Sequence, residues 1–224
     1  MCSIIGYIGK QFTQEEIQPY FDRSLSRGPD QTRYVTLGDG AGFLGFHRLS
    51  IMGLNENGMQ PFLRGDQALV CNGEIYGFRK LKEELIQKGY RFQSGSDCEI
   101  LLPLFEEKGV DMFRELDAEF ALVLYDDGGL VAARDPIGIR PLYYGYDSSG
   151  AILFASEPKC LVGLCQTILP FPPGHYYKDG RFVCYRDVST PKYQCADDLE
   201  TACKNIREKL TAGIEKRLDA DAPV

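Results

Sequence analysis

The chain has 224 residues, 44% of them apolar and 25% charged, which suits one folded domain or one domain and part of a second and excludes intrinsic disorder. Its formal net charge is −7, whereas general DNA or RNA binding needs a basic surface, so no nucleic-acid partner is expected. The eight cysteines include no C-x-x-C pair and are accompanied by two histidines, which argues against a metal site. We therefore expect reduced cysteines in a cytoplasmic protein.

No segment of the sequence predicts export or membrane insertion. The apolar run over residues 2–9 is too short to span a bilayer, and no cationic stretch precedes a long apolar one. Residue 2 is Cys rather than Gly, which excludes N-myristoylation. We expect no membrane partner.

The first half of the chain predicts strands and helices in alternation. Strands are expected at residues 2–9, 33–37, 41–47 and 67–71, and helices at residues 14–26, 77–88 and 97–108. The last of these strands runs into Asn72-Gly73, and Ser96 or Asp97 is positioned to cap the third helix.

The second half is richer in strands. They are expected at residues 121–125, 130–133, 142–146 and 152–155, followed by a hairpin with strands at 176–177 and 182–185. Many short strands with a few helices between them predict an α+β fold.

Residues 197–218 predict an amphipathic helix. Its apolar positions recur at steps of three and four and are Leu199, Cys203, Ile206, Leu210, Ile214 and Leu218. Two interpretations remain open at this point: the apolar stripe docks on the domain, or the helix begins a second domain.

Cys2 is set apart by its position. Methionine aminopeptidases remove Met1 when the next residue is small, and removal gives Cys2 a free α-amine beside its thiol. Because an α-amine has a reference pKa of about 7.7–8.0, it can act as a general base near neutral pH. The commoner alternative is that Cys2 is simply a residue of the first strand.

A catalytic Cys2 needs partners of three kinds. Asn72 and Gly73 offer oxyanion-hole donors, Arg48 offers a cation for a carboxylate, and Glu74 and Asp97 offer anions for an ammonium group. Each has an ordinary alternative, since Asn-Gly commonly forms a turn, a lone Arg is commonly a surface residue, and an Asp before a helix commonly caps it. Together they describe a pocket for a zwitterionic amino acid that presents an amide to the thiol.

Eight motifs occur in the order seen in class II glutamine amidotransferases. They are Cys2-Ser-Ile-Ile-Gly, Arg27-Gly-Pro-Asp, His47-Arg-Leu-Ser-Ile, Gln60-Pro, Asn72-Gly-Glu-Ile-Tyr, Ser94-Gly-Ser-Asp-Cys-Glu, Ala133-Arg-Asp-Pro-Ile-Gly-Ile-Arg-Pro-Leu and Phe154-Ala-Ser-Glu. Residues 2–187 thus resemble the glutaminase domain of a glutamine-hydrolysing asparagine synthetase. The resemblance implies a four-layer αββα sandwich of the N-terminal nucleophile hydrolase type.

The resemblance also implies a role for each matching residue. Cys2 is the nucleophile, its α-amine is the base, and Asn72 and Gly73 form the oxyanion hole. Arg48 binds the α-carboxylate of L-glutamine, and Glu74 and Asp97 bind its α-ammonium group. The backbone that lines the same pocket is that of Leu49, Ser50, Ile51 and Met52.

The sequence departs from the family pattern in two places. Gly77 stands where the family usually has Asn, and the chain stops at Val224, before the S-G-G-L-D-S loop that holds the pyrophosphate of ATP. We therefore expect residues 188–224 to be a linker and the first helix of a truncated synthetase domain of the ATP pyrophosphatase type. In the family, that domain binds ATP and Mg²⁺, and the glutaminase half needs no cofactor.

Three functions are consistent with these residues. The first is hydrolysis of glutamine to supply ammonia for the ATP-dependent conversion of aspartate to asparagine. The second is an amidotransferase domain that serves another acceptor, and the third is a non-catalytic interaction or regulatory domain, against which Cys2 argues. A homodimer is a candidate assembly, because full-length members of the family are commonly dimers.

Overall fold

A computed structural model describes residues 1–191 and 193–222. Its strands are β1 (Ser3–Ile8), β2 (Gln31–Leu37), β3 (Gly42–Arg48), β4 (Phe62–Arg64), β5 (Gln67–Ile75), β6 (Ala118–Asp126), β7 (Gly129–Arg134), β8 (Tyr143–Tyr146), β9 (Ile152–Ala155), β10 (Ile168–Pro170), β11 (His175–Lys178) and β12 (Arg181–Cys184). Its α-helices are α1 (Gln14–Phe21), α2 (Phe78–Gln87), α3 (Leu101–Lys108), α4 (Met112–Glu115) and α5 (Leu199–Arg217). Two 3₁₀ segments matter for the site, Asp22–Arg27 after α1 and Asp97–Ile100 before α3.

The strands form two antiparallel sheets of six strands each. The first has the order β10-β8-β9-β1-β3-β2, and the second has the order β12-β11-β7-β6-β5-β4. One apolar cluster fills the space between the sheets, and two others lie on their outer faces, under α1 on one side and under α2, α3 and α4 on the other. The α+β class and the four-layer αββα sandwich are confirmed.

Strand alternation decides which side chains enter the space between the sheets. In β1, Ile4 belongs to the central cluster, whereas Ile5 and Tyr7 pack on the outer face with α1. Gly6 also faces inward, and a Cβ there would lie 2.7 Å from Val123 Cγ1 of the opposite sheet. Gly6 therefore permits the close approach of the two sheets.

Most predicted elements are present, with three informative differences. β5 does not end at Cys71, as the sequence predicts, but continues to Ile75, so Asn72-Gly73 is strand and not a turn. The third predicted helix begins with a 3₁₀ segment at Asp97, and no side chain caps it. The short elements β4, β10 and α4 have no counterpart in the sequence prediction, because three or four residues give no readable periodicity.

Gly77 is explained by its backbone. It precedes α2 with a φ of +67°, a left-handed conformation, and a Cβ there would meet no atom within 4 Å. Glycine adopts this conformation without strain, and Asn tolerates it better than most residues. The exchange of the usual Asn for Gly therefore leaves the chain path and the packing intact.

α5 confirms the predicted helix and exposes its apolar stripe. Leu199, Ile206, Leu210 and Ile214 are each more than half exposed, and none of the residues of α5 is buried. The end of the helix touches the domain through polar contacts, such as Lys216 with Asp117. No helix in the described part of the chain has the length and apolarity to cross a membrane. The prediction that 188–224 begins a second domain includes Lys192, Pro223 and Val224, which lie outside the described residues.

Phe154 tests the packing between the sheets. It is fully buried, and its ring centroid lies 6.0 Å from that of Phe171 and 5.3 Å from that of Tyr177. We expect Phe154→Ala to lower the free energy of unfolding in urea by about 3–5 kcal/mol, because it leaves a cavity. Leu169→Ala, at a side chain that is 44% exposed, serves as the control and should cost less than about 1 kcal/mol. Equal losses for the two variants would contradict this account of the core.

Candidate functional site

Cys2 lies at the mouth of the space between the sheets. It precedes β1, shares the inward face with Ile4 and packs against the central cluster. Its Sγ accepts a hydrogen bond from Leu49 N at 3.4 Å and lies 3.5 Å from Leu49 O, to which the thiol can donate. Burial raises the pKa of the Cys2 thiol above its ordinary value. A neutral thiol needs a base before it can attack a carbonyl carbon.

The backbone of β5 turns one edge toward Cys2. β4 pairs only with residues 67–69 of β5, so the edge beyond them has no neighbouring strand. Gln60 covers Cys71 instead, accepting from its N–H at 2.6 Å and donating to its carbonyl at 3.1 Å. Four residues further along the strand, Ile75 N donates to Asp97 Oδ2 at 2.7 Å.

Gly73 sits between these two bonded positions on the same edge. Because alternate residues of an antiparallel strand point their N–H groups the same way, the Gly73 N–H points toward Gln60 and Asp97 and away from β6. A Cβ at residue 73 would lie 2.6 Å from Glu119 O, so only glycine fits this close approach of strands.

Asn72 supplies a second donor. Its side chain is 2% exposed and lies on the inward face, two residues after Val70 of the central cluster. Its Nδ2 is buried, and among the described residues it has no hydrogen-bond acceptor. A buried amide without an acceptor carries a desolvation cost, which the oxygen of a ligand would offset. Asn72 and Gly73 thus line one cavity with Cys2 and offer two N–H donors to it.

Arg48, at the end of β3, forms the cationic side of the cavity. It is 3% exposed, and burial lowers the pKa of its guanidinium. Nη1 donates to Gln31 Oε1 and to Asn55 O, while Nη2 donates to Met52 O and to Gly53 O. The guanidinium is therefore held in place by the loop that follows β3.

The acidic side of the cavity contains Asp97 and Glu74. Asp97 is 5% exposed, and burial raises the pKa of its carboxyl. Glu74 Oε1 accepts from Arg140 Nη2 at 3.1 Å, and the same Nη2 donates to Glu119 Oε1 at 2.7 Å. Arg48, Glu74 and Asp97 thus line the same cavity, and their charges match those of an α-amino acid.

The structure brings together most of the residues chosen from the sequence. The cavity is lined by Cys2, Arg48, Leu49, Ile51, Met52, Asn72, Gly73, Glu74 and Asp97. Ser50 does not line it, and its N–H donates to Asp30 Oδ2 at 2.8 Å. Ser50 therefore shapes the loop without facing the cavity.

Three residues that sequence reasoning missed also belong to the site. Gln60 and Arg140 line the cavity. Arg27 Nε donates to Cys2 O at 3.1 Å and Arg27 Nη1 pairs with Glu157 at 3.3 Å, while its buried Nη2 has no acceptor among the described residues. All three stand in the quoted motifs, which was the available signal, but the motifs alone did not say which members face the cavity.

A larger groove lies elsewhere, between β4 and α3. Its lining includes Arg33, Arg64 and Arg91, of which Arg64 pairs with Glu106 and Arg33 donates to Met59 O. No cysteine lines it, and its size alone does not make it the reactive site. Within residues 1–191 and 193–222, no cluster of His, Cys, Asp and Glu has an arrangement suited to a metal ion.

Comparisons with known proteins agree with the geometry. Residues 1–172 match the family described as glutamine amidotransferase domain. The chain is 37% identical to a probable glutamine-hydrolyzing asparagine synthetase of Dictyostelium discoideum, covering 100% of this chain and 42% of that protein. It is 36% identical to asparagine synthetase B of Escherichia coli (strain K12), covering 100% of this chain and 41% of that protein.

The fold has a solved counterpart. The glutamine phosphoribosylpyrophosphate amidotransferase of B. subtilis superposes with a TM-score of 0.68 at 22% identity, covering 83% of this chain and 49% of that chain. This likeness shows a shared fold. The chain spans about two fifths of the length of the curated relatives it matches.

Arg140 tests the charge arrangement. Its side chain is 8% exposed between two carboxylates. We expect Arg140→Met to lower the free energy of unfolding by about 3–5 kcal/mol, because it leaves Glu74 and Glu119 close together without their cation. Urea unfolding at neutral pH measures this loss, and adding Glu119→Gln should recover part of it. The exposed Arg181 is the control, and its change to Met should cost no more than about 0.5 kcal/mol. A double variant no more stable than the single one would contradict the proposed repulsion.

Proposed function

Because the chain belongs to the glutamine amidotransferase domain family, we propose that residues 2–187 hydrolyse L-glutamine to glutamate and ammonia at the cavity beside Cys2. The observation that carries this proposal is the pair of donors on β5. The buried Asn72 Nδ2 has no acceptor among the described residues, and the Gly73 N–H points the same way as the bonded N–H groups on either side of it.

The chemistry begins with the removal of Met1. The α-amine of Cys2 then takes the proton of the thiol, and Sγ attacks the side-chain amide carbon of glutamine. The amide oxygen becomes an oxyanion, which Asn72 Nδ2 and Gly73 N stabilise by hydrogen bonds. The protonated amine returns its proton to the leaving nitrogen, so ammonia departs and a γ-glutamyl thioester remains.

The second half returns the enzyme to its starting state. The Cys2 α-amine takes a proton from water, and the resulting hydroxide equivalent attacks the thioester carbon. The same two donors stabilise the second oxyanion. The C–S bond breaks, glutamate leaves, and the thiol regains its proton from the amine.

Glutamine is oriented by its two charges. We assign its α-carboxylate to Arg48 and to the backbone of the 49–52 loop, and its α-ammonium group to Glu74 and Asp97. Four N–H groups of Arg48 already serve Gln31 and the loop carbonyls, and no hydrogen bond of the described residues uses its Nε–H. The carboxylate is therefore expected to meet the guanidinium on its Nε edge.

We propose that, in a protein that also carries a synthetase domain, the ammonia serves the conversion of aspartate to asparagine. The relatives named above support this acceptor. ATP and Mg²⁺ are assigned to a synthetase domain, of which residues 188–224 supply the linker and first helix. No residue of the glutaminase half is assigned to ATP or to Mg²⁺.

The proposal also includes a cytoplasmic location and a homodimer. A reducing compartment suits the free thiol of Cys2, and asparagine formed from aspartate, ATP and glutamine would test the acceptor.

Separate substitutions test the proposed nucleophile, Cys2, and the proposed oxyanion donor, Asn72. Cys2→Ala keeps a small residue after Met1 and should abolish glutamate release from glutamine without ATP. Asn72→Ala should lower kcat by about 10²–10³, because one oxyanion donor is lost. A glutamate assay measures both, and Cys184→Ala, at an exposed thiol on β12, should keep the activity of the unmodified protein. Full activity of Cys2→Ala would overturn the assignment of the nucleophile.

The base makes activity depend on pH in a defined direction. Burial lowers the pKa of the α-ammonium group of Met1 from 8.0, and we expect the same for Cys2 once Met1 is removed, because its amine lies deeper. The base must be neutral, so kcat/KM should fall as the pH drops through a pKa below 8.0. A pH–rate profile tests this, and protein that retains Met1, verified by mass, is the inactive control. A profile with no acidic limb would contradict the role of the amine.

A further inference from the structure

The chain returns to the rim of the cavity at the end of α5. Residues 216–222, called the strap here, contact both the loop after β3, whose carbonyls hold Arg48, and Glu119, which shares Arg140 with Glu74. These contacts use elements that are far apart in sequence, and the proposed reaction leaves them without a role.

On the cationic side, the strap holds the loop after β3 by its backbone. Asp221 Oδ2 accepts from Gly53 N at 2.8 Å, and Asp221 N and Ala222 N donate to Ile51 O at 3.2 and 3.0 Å. Gly53 has a φ of +58°, and a Cβ there would lie 2.8 Å from Ser96 N. The loop is thus wedged between the strap and the start of the 97–100 segment.

The held loop is the one that fixes Arg48. Arg48 Nη2 donates hydrogen bonds to Met52 O and to Gly53 O. These two carbonyls flank the Gly53 N–H, which donates to Asp221. A shift of this backbone would move the guanidinium that we assign to the α-carboxylate. Asp221 therefore acts on glutamine through Arg48 and does not touch the ligand itself.

On the acidic side of the cavity, Arg217 of the strap approaches the carboxylate of Glu119. Its Nη2 lies 3.7 Å from Glu119 Oε2, and its guanidinium carbon lies 5.0 Å from the ring centroid of Tyr76. Glu119 shares Arg140 with Glu74, which we assign to the α-ammonium group. One seven-residue segment thus contacts the supports of both ends of the amino acid.

Stability does not explain these contacts well. The strap is largely exposed, and exposed ion pairs such as Arg79 with Asp219 contribute little to folding. A hydrogen bond that a loop N–H donates to a carboxylate instead restricts where that loop sits. We infer that the strap is a positioning element for the glutamine pocket, with Asp221 as its main positioning residue. This inference rests on the proposed function.

Asp221→Ala separates positioning from folding. We expect the KM for glutamine to rise about 3- to 10-fold, because the loop that holds Arg48 loses a charge-assisted hydrogen bond, while kcat stays within about twofold. Asp221→Asn retains an acceptor oxygen for Gly53 N and should restore most of the affinity. Asp198→Ala is the matched control, because Asp198 caps the opposite end of α5 through Thr201 N, and its KM should not change.

Amide hydrogen exchange gives a readout that needs no activity. The Gly53 amide should exchange faster in Asp221→Ala than in the unmodified protein and in Asp198→Ala. An unchanged KM or an unchanged exchange rate in Asp221→Ala would overturn the inference. If the unmodified protein releases no glutamate, the proposed function is wrong, and the exchange of Gly53 still decides whether the strap holds the loop.

Discussion

Face-to-face packing of two antiparallel sheets is the constraint on which the site depends. Because side chains alternate between the faces of a strand, the inward set of β1 includes Ile4 and Gly6, and Cys2 continues that set. The inward set of β5 includes Val70, and Asn72 continues it in the same way. The thiol of Cys2 and the side-chain amide of Asn72, which come from different sheets, therefore meet at one end of a shared apolar layer.

Beyond residue 69, one edge of β5 has no neighbouring strand, so its backbone N–H groups are available where Cys2 and Asn72 meet. A full strand beside residues 70–75 would use every backbone donor on that edge, but β4 stops after three residues. Side chains of Gln60 and Asp97 complete the bonding around Gly73 and leave its own N–H facing the same edge. The buried Asn72 Nδ2 has no acceptor among the described residues, which costs about 1–3 kcal/mol in the folded protein, and the oxyanion of the proposed reaction would offset that cost. The site thus gives up some stability for donors that are already oriented.

The charged side chains that line the cavity, Arg48 and Glu74, are held in place by hydrogen bonds within the protein. Arg48 is held by loop carbonyls and Glu74 by Arg140, so neither charge must be ordered when a zwitterion enters. Preorganised charges stabilise a bound ion better than mobile ones, because no ordering penalty is added on binding. The strap contacts both the loop that holds Arg48 and Glu119, which links the pocket to a helix whose apolar stripe is exposed.

The sequence by itself determined the α+β class, most of the long elements and most of the residues that line the cavity, because strand alternation and the order of the motifs are local properties of the chain. It did not determine that Asn72-Gly73 is strand, that Asp97 caps no helix, that Ser50 faces away, or that Arg27 and Arg140 join the site. These outcomes depend on partners distant in sequence, such as β6 for Gly73, Ile75 for Asp97 and Glu119 for Arg140. Only the tertiary structure decided them, because hydrogen bonding and burial at each position are settled by residues that sequence spacing does not bring together.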